Sequence, residues 1–235
     1  MMPTPDVPAN VREVVDECVA RFGDNLACAL WHGSRARGEP TTASDEDLIL
    51  IFRRLDDNTL LGLREMFLRP DLHDWSTYTL SVDELRQYPR NNRLQFHYGC
   101  QVVHGELDPP PFTPDDLVAD LRFLAVEIRS YCRHPFIHHA LSHPHPDTVR
   151  TARMMYYMAK QAVMAMKTRH LYHTGEYPLT RSELRRVVRD PEDVAIIDIV
   201  DQWPELRAGY EEDPRLLILQ LDAFARRLVE SLPEA

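Results

Sequence analysis

Trp31-His32-Gly33-Ser34-Arg35-Ala36-Arg37-Gly38, followed across a short link by Ser44-Asp45-Glu46-Asp47-Leu48-Ile49-Leu50-Ile51-Phe52, is the stretch that decides the fold. An apolar run, Leu26 to Trp31, precedes it. Gly33-Ser34 signals a sharp turn, Arg35 to Gly38 begins a short helix, and Leu48 to Phe52 is a second strand-like run. Alternate residues of a strand face the same way, so Asp45 and Asp47 set two carboxylates side by side, with Glu46 on the opposite face. Such a pair repels itself unless a cation stands between the acids. A divalent ion of the Mg²⁺ type suits that place, because it takes oxygen ligands, commonly one or two carboxylates plus phosphate oxygens. The N–H groups of the Gly-Ser turn suit those phosphates.

Outward from this stretch, Val11 to Phe22 has helical spacing and is stopped by Gly23. Asn58 to Leu68 reads as a helix stopped by Pro70, Asp74 to Ser81 as a strand, and Val82 to Tyr88 as a short helix led by Ser81. Gln101 to His104 is a last short strand. Asp108-Pro109-Pro110-Pro111-Phe112-Thr113-Pro114 is the clearest boundary, since three consecutive prolines are stiff and extended. The expected division is a domain over 1–108 and a second over 114–235.

Beyond the prolines strand signals vanish. Asp115 to Arg133 is helical, and His134 to Pro146 reads as a loop. Asp147 to Tyr172 is a long helix, Thr180-Arg181-Ser182-Glu183 has the form of a capping box, and Glu192 to Gln202 and Arg215 to Glu230 complete a bundle of about five helices. Five histidines (His134, His138, His139, His143 and His145) crowd the loop, which lacks a helical i,i+4 pair with carboxylate support. A polar loop is preferred there to a metal site. Arg153, Lys160 and Lys167 recur every seven residues along the long helix and read as one solvated face.

A net charge of −10 argues against a general nucleic-acid binder and suits a cationic or metal-bridged partner. No apolar run is long enough for a membrane span, the first ten residues do not resemble a signal peptide, and the cysteines (Cys18, Cys28, Cys100 and Cys132) lack paired spacing. A cytoplasmic protein with reduced thiols is expected.

The local form Gly33-Ser34, Asp45, one residue, Asp47, between two strand-like runs, resembles the signature of the polymerase-β-type nucleotidyltransferases, in particular the small bacterial aminoglycoside and minimal nucleotidyltransferases. The resemblance implies an α/β nucleotidyltransferase domain with a small mixed sheet, followed by an all-α helical bundle. It also implies Mg²⁺-dependent transfer of a nucleoside monophosphate, most readily AMP from ATP. The acceptor would be a hydroxyl of an aminoglycoside-like molecule, or of a protein or tRNA as in toxin–antitoxin relatives; a non-catalytic nucleotide-binding relative is the rival. Asp45 and Asp47 would bind the metal, Gly33 and Ser34 the triphosphate, and Arg35 or Arg37 the leaving phosphates. A third acid usually completes the site from a neighbouring strand. Here Asp74, at the edge of its strand, is the candidate, or the site has two acids alone. In two-domain relatives a basic residue of the helical domain reaches the triphosphate, which points to Lys160 or Lys167.

Overall fold

A computed structural model describes residues 6–41, 44–89, 93–141 and 145–233. The chain divides into two compact units, Met1–Phe112 and Thr113–Ala235.

The first unit is built on four strands: β1 (Leu26–His32), β2 (Glu46–Phe52), β3 (Trp75–Ser81) and β4 (Gln101–Gly105), in the spatial order β3-β2-β1-β4. β1 runs antiparallel to β2 and β4, whereas β2 and β3 are parallel, so the sheet is mixed. β1 and β2 are near-continuous apolar runs because helices cover both of their faces. On one face Ala29, Trp31, Leu48, Leu50 and Phe52 pack on Val11, Val15 and Cys18 of helix α1 (Ala9–Phe22) and on Leu63 and Met66 of α3 (Asp57–Phe67). On the other, Cys28, Leu30, Ile49, Ile51 and Leu80 meet Leu85 of α4 (Val82–Arg86), Tyr88, and Phe96 of α5 (Leu94–His97). The turn helix α2 (Gly33–Ala36) begins two residues earlier than expected, immediately after β1.

The second unit holds six helices among the described residues: α6 (Pro114–His138), α7 (Pro146–Thr174), α8 (Arg181–Val187), α9 (Pro191–Asp201), α10 (Trp203–Glu212) and α11 (Arg215–Glu230). Leu121, Ala125, Ile128 and Cys132 of α6 join Ala152, Met155, Ala159, Ala162 and Met166 of α7 and Leu217, Leu221 and Phe224 of α11 in one core. The Thr180/Glu183 capping box is present at the start of α8. Two expectations fail. The loop expected from His134 is helical as far as His138, with Pro135 buried inside α6; the burial of Pro135 and the neighbouring Cys132 offsets the hydrogen bond that a proline cannot donate. Helix α10 was not expected; the sequence reading passed from the helix ending at Gln202 to the one beginning at Arg215. Pro204 falls in its first turn, where a missing N–H costs nothing.

Among the described residues no helix is long and apolar enough to cross a membrane. All four cysteines are free, and burial pushes the thiols of Cys18, Cys28 and Cys132 up to about 12.

Candidate functional site

The antiparallel register of β1 and β2 sets His32 opposite Asp47, so the turn at Gly33 and the acid pair meet at one end of the sheet. Gly33 has φ +83°, and a Cβ placed on it would stand 1.9 Å from Oδ2 of Asp47 and 2.7 Å from its Cγ. The Asp47 carboxylate therefore lies against the bare Cα of Gly33. A side chain at Gly33 would displace the acid and strain the backbone as well.

Asp45 is held through its neighbour. The Ser34 hydroxyl donates to Ser44 Oγ at 2.9 Å, and the Arg35 guanidinium donates to the Ser44 carbonyl oxygen from Nε at 3.2 Å and from Nη2 at 2.8 Å. The Thr41 N–H also donates to Ser44 Oγ, at 2.8 Å. Ser34 and Arg35 thus fix the residue immediately before Asp45, which is itself exposed. Glu46 faces the other way, as alternation requires. It accepts from Trp31 Nε1 at 3.0 Å, with Arg35 Nε 3.5 Å from its other oxygen. A charge-assisted bond of this kind contributes about 1.5–3 kcal/mol.

His32 shares the sheet face of Asp47. Burial, the Arg37 guanidinium and, in the opposite sense, Asp45 set its pKa, which falls to about 4. The imidazole is neutral at pH 7, and Arg37 is brought into the neighbourhood of His32. His32 and Ser44 are the members that sequence reasoning passed over, whereas Glu46 was read on the opposite face, where it stands. For His32 the available signal was its strand parity with Cys28 and Leu30, which places it beside Asp47.

On β3 the register partner of Asp47 is Ser76. Asp74 lies just before β3, at the same end; its carbonyl oxygen accepts from the Glu46 N–H at 2.9 Å. Its side chain is 78% exposed, with Oδ1 3.1 Å from His73 Nε2. Among the described residues no group of three or more His, Cys, Asp and Glu side chains stands arranged to hold a metal ion.

The structure therefore brings Gly33, Ser34, Arg35, Arg37, Asp45 and Asp47 together, with Asp74 at their edge. Lys160 and Lys167 belong to the helical unit, and they do not share one solvated face. Lys160 is exposed, its ammonium 5.0 Å from the centre of the Tyr156 ring and 5.8 Å from that of Tyr157. Lys167 is 2% exposed, and its ammonium donates to the Leu179 carbonyl oxygen. The segment after α7 turns back over it, which heptad spacing does not reveal.

Strand order, mixed sheet and following helices together define a nucleotidyltransferase-like fold. No protein-family model matches the chain, and no curated protein sequence matches it. Among solved structures it is similar to spectinomycin adenyltransferase AAD(9) from Enterococcus faecialis, determined with ATP and spectinomycin. The TM-score is 0.51 at 11% sequence identity, over 92% of this chain and 97% of that one, a likeness of fold.

Proposed function

We propose that the chain is a Mg²⁺-dependent nucleotidyltransferase that moves a nucleoside monophosphate, AMP from ATP first of all, onto a hydroxyl of a small aminoglycoside-like acceptor. The observation that carries this reading is the interlock of Gly33 with Asp47, which makes the turn and the acid pair one unit. The likeness of fold to an adenyltransferase solved with ATP and spectinomycin supports it.

Asp45 and Asp47 fit a hard divalent ion: an all-oxygen, doubly negative donor set at the start of β2, short of a full shell and so open to phosphate oxygens. Bound there, Mg²⁺ would supply charge neutralisation at the transferred phosphoryl group. Gly33 and Ser34 would offer N–H groups to the triphosphate, and Arg37, whose Nε lies 3.8 Å from a Glu39 carboxylate oxygen, would serve the leaving pyrophosphate. Arg35 acts through Ser44, holding Asp45 in place. In the transfer the acceptor oxygen bonds to the α-phosphorus, the bond to pyrophosphate breaks, and the acceptor proton passes to Asp74 or to water. Within the helical unit, Lys160 stands over the Tyr156 and Tyr157 rings and Lys167 is engaged with the Leu179 carbonyl oxygen.

The test is incubation with labelled ATP, GTP, CTP or UTP against aminoglycosides, tRNA and cell lysate. Label should pass from ATP to an aminoglycoside and be lost in Asp45→Asn and Asp47→Asn. Label on tRNA or on a lysate protein instead would reassign the acceptor to the macromolecular class. One observation favours a second reading, a nucleotide-binding protein without transfer: Ser76, not an acid, faces Asp47 from β3. Calorimetry with Mg²⁺ and a non-hydrolysable ATP analogue separates the two. Binding lost in Asp45→Asn, with no acceptor ever labelled, selects the second reading, and absence of binding by the wild-type protein rejects both.

A further inference from the structure

We propose that a pocket of the helical unit, between the last turns of α7 and the link from α8 to α9, binds a small organic anion: a phosphate or carboxylate group carried on a short apolar body. The pocket encloses about 320 Å³, within the range of about 300–1,000 Å³ usual for small-molecule sites. One wall is a single face of α7, where Met166, Arg169, His170 and His173 recur at helical spacing. The facing wall is the end of α8 and the residues that lead into α9, with Val187, Arg189 and Asp190.

The charges select the ligand. The chain as a whole has 37 acids against 27 lysines and arginines, yet this pocket holds two arginines, two histidines and one acid. The acid is occupied. Asp190 caps α9, where its Oδ1 accepts from the Glu192 N–H at 2.9 Å, and its Oδ2 stands 3.8 Å from Arg227 Nε. Donors remain open to a ligand. Among the described residues Arg189 makes no ion pair or hydrogen bond, and neither imidazole has a hydrogen-bond partner. Arg169 is fixed in the wall: its Nη2 donates at 2.7 Å to Asp193, a buried acid that also accepts from Arg227 Nη2 at 2.9 Å. Asp193 is thus shared between two guanidiniums, and Arg169 keeps further N–H groups. Even a neutral imidazole carries one N–H, so His170 and His173 can donate to an anion in either protonation state. Phosphate and carboxylate oxygens match this donor set with charge-assisted hydrogen bonds. Met166 and Val187 add apolar surface, which an organic body can cover and a bare inorganic ion cannot. Asp45, Asp47 and a metal play no part here, so this binding stands or falls apart from nucleotidyl transfer.

The experiment is calorimetric titration of the whole chain with phenyl phosphate and with benzoate, with a chelator present and no nucleotide. One of the two should bind at one equivalent, and the tighter identifies the head group. The same head group without the ring, inorganic phosphate or acetate, should bind about tenfold more weakly. Arg189→Gln and His173→Gln, both at exposed positions, should each weaken binding about tenfold. Val187→Glu, which sets a carboxylate in the pocket, should abolish binding while the helical circular dichroism signal is kept. Failure of the wild-type chain to bind either aromatic anion, unchanged affinity in Arg189→Gln or in a folded Val187→Glu, or equal affinity for the ring-free anion overturns the proposal.

Discussion

Gly33 carries two constraints that act through different atoms: a positive φ, which concerns its own backbone, and the Asp47 carboxylate, which fills the place of a Cβ. They can be separated. Gly33→Ala should cost about 3 kcal/mol in urea unfolding and abolish nucleotide binding. In an Asp47→Gly background the same substitution should cost only about 1 kcal/mol, the part owed to φ. Equal costs in the two backgrounds would show that the carboxylate does not crowd Gly33. His32 makes a second prediction. Its pKa falls from 6.5 to about 4 on folding, so between those values the unfolded chain holds a proton that the folded one refuses. Stability should therefore drop by about 2 kcal/mol as pH falls through that window, and His32→Gln should flatten this part of the profile. At this scale the sequence was most legible at Glu46 and Asp47: strand alternation alone set them on opposite faces, where Glu46 meets Trp31 and Asp47 meets Gly33. It could not show that Arg35 is engaged with the Ser44 carbonyl, because that contact depends on how the link between α2 and β2 closes.

The elements were legible where periodicity was strong. β1, β2, α1 and α7 were read to within two residues, since their apolar patterns are set by the faces that they bury. The clearest miss lies at Pro135. A loop was expected from His134, yet Pro135 is buried inside a helix, and only packing decides between stopping and joining. The contact of α6 with α7 gives two predictions. Ile128 is fully buried in their shared core, and Ile128→Ala should destabilise the helical unit by about 3 kcal/mol in denaturant unfolding. Asp120 of α6 is also buried, bonded to the Thr168 side chain of α7, and burial lifts its pKa from 3.8 to about 7. The folded chain keeps a proton there that the unfolded one releases, so this contribution to stability is lost as pH rises from 3.8 to 7, a slope opposite in sign to that of His32. Asp120→Asn keeps the shape without the charge. It should raise stability at pH 8 by about 3 kcal/mol and leave it nearly unchanged at pH 4.

At the scale of the molecule the chain forms two compact units. The division falls between Phe112 and Thr113, inside the Asp108–Pro114 stretch, and each side has a core of its own. Residues 113–235 produced alone should therefore give a helical circular dichroism spectrum and a single cooperative melt; a featureless, gradual loss of signal would show that the helical unit depends on the other. The net charge of −10 belongs to this scale as well: under the proposed function it would favour approach of a cationic acceptor. The apparent Michaelis constant for an aminoglycoside should accordingly rise with ionic strength, measured at fixed Mg·ATP. Heptad counting along α7 gave the cations their positions but not their surroundings. The segment that covers Lys167 lies beyond the helix, and nothing in the spacing of 153, 160 and 167 announces it.

The close fit of Gly33 to Asp47 also bears on descent. The two positions sit on different strands' ends and fourteen residues apart in the chain, yet neither can drift alone: a residue larger than glycine evicts the acid, while the acid rewards keeping the glycine. A lineage that abandoned the carboxylate would shed one of the two reasons for glycine at Gly33 and keep only the weaker, conformational one. Chains that have lost the chemistry should then betray it twice, by a substitution at the acid and by a later, looser choice at the turn.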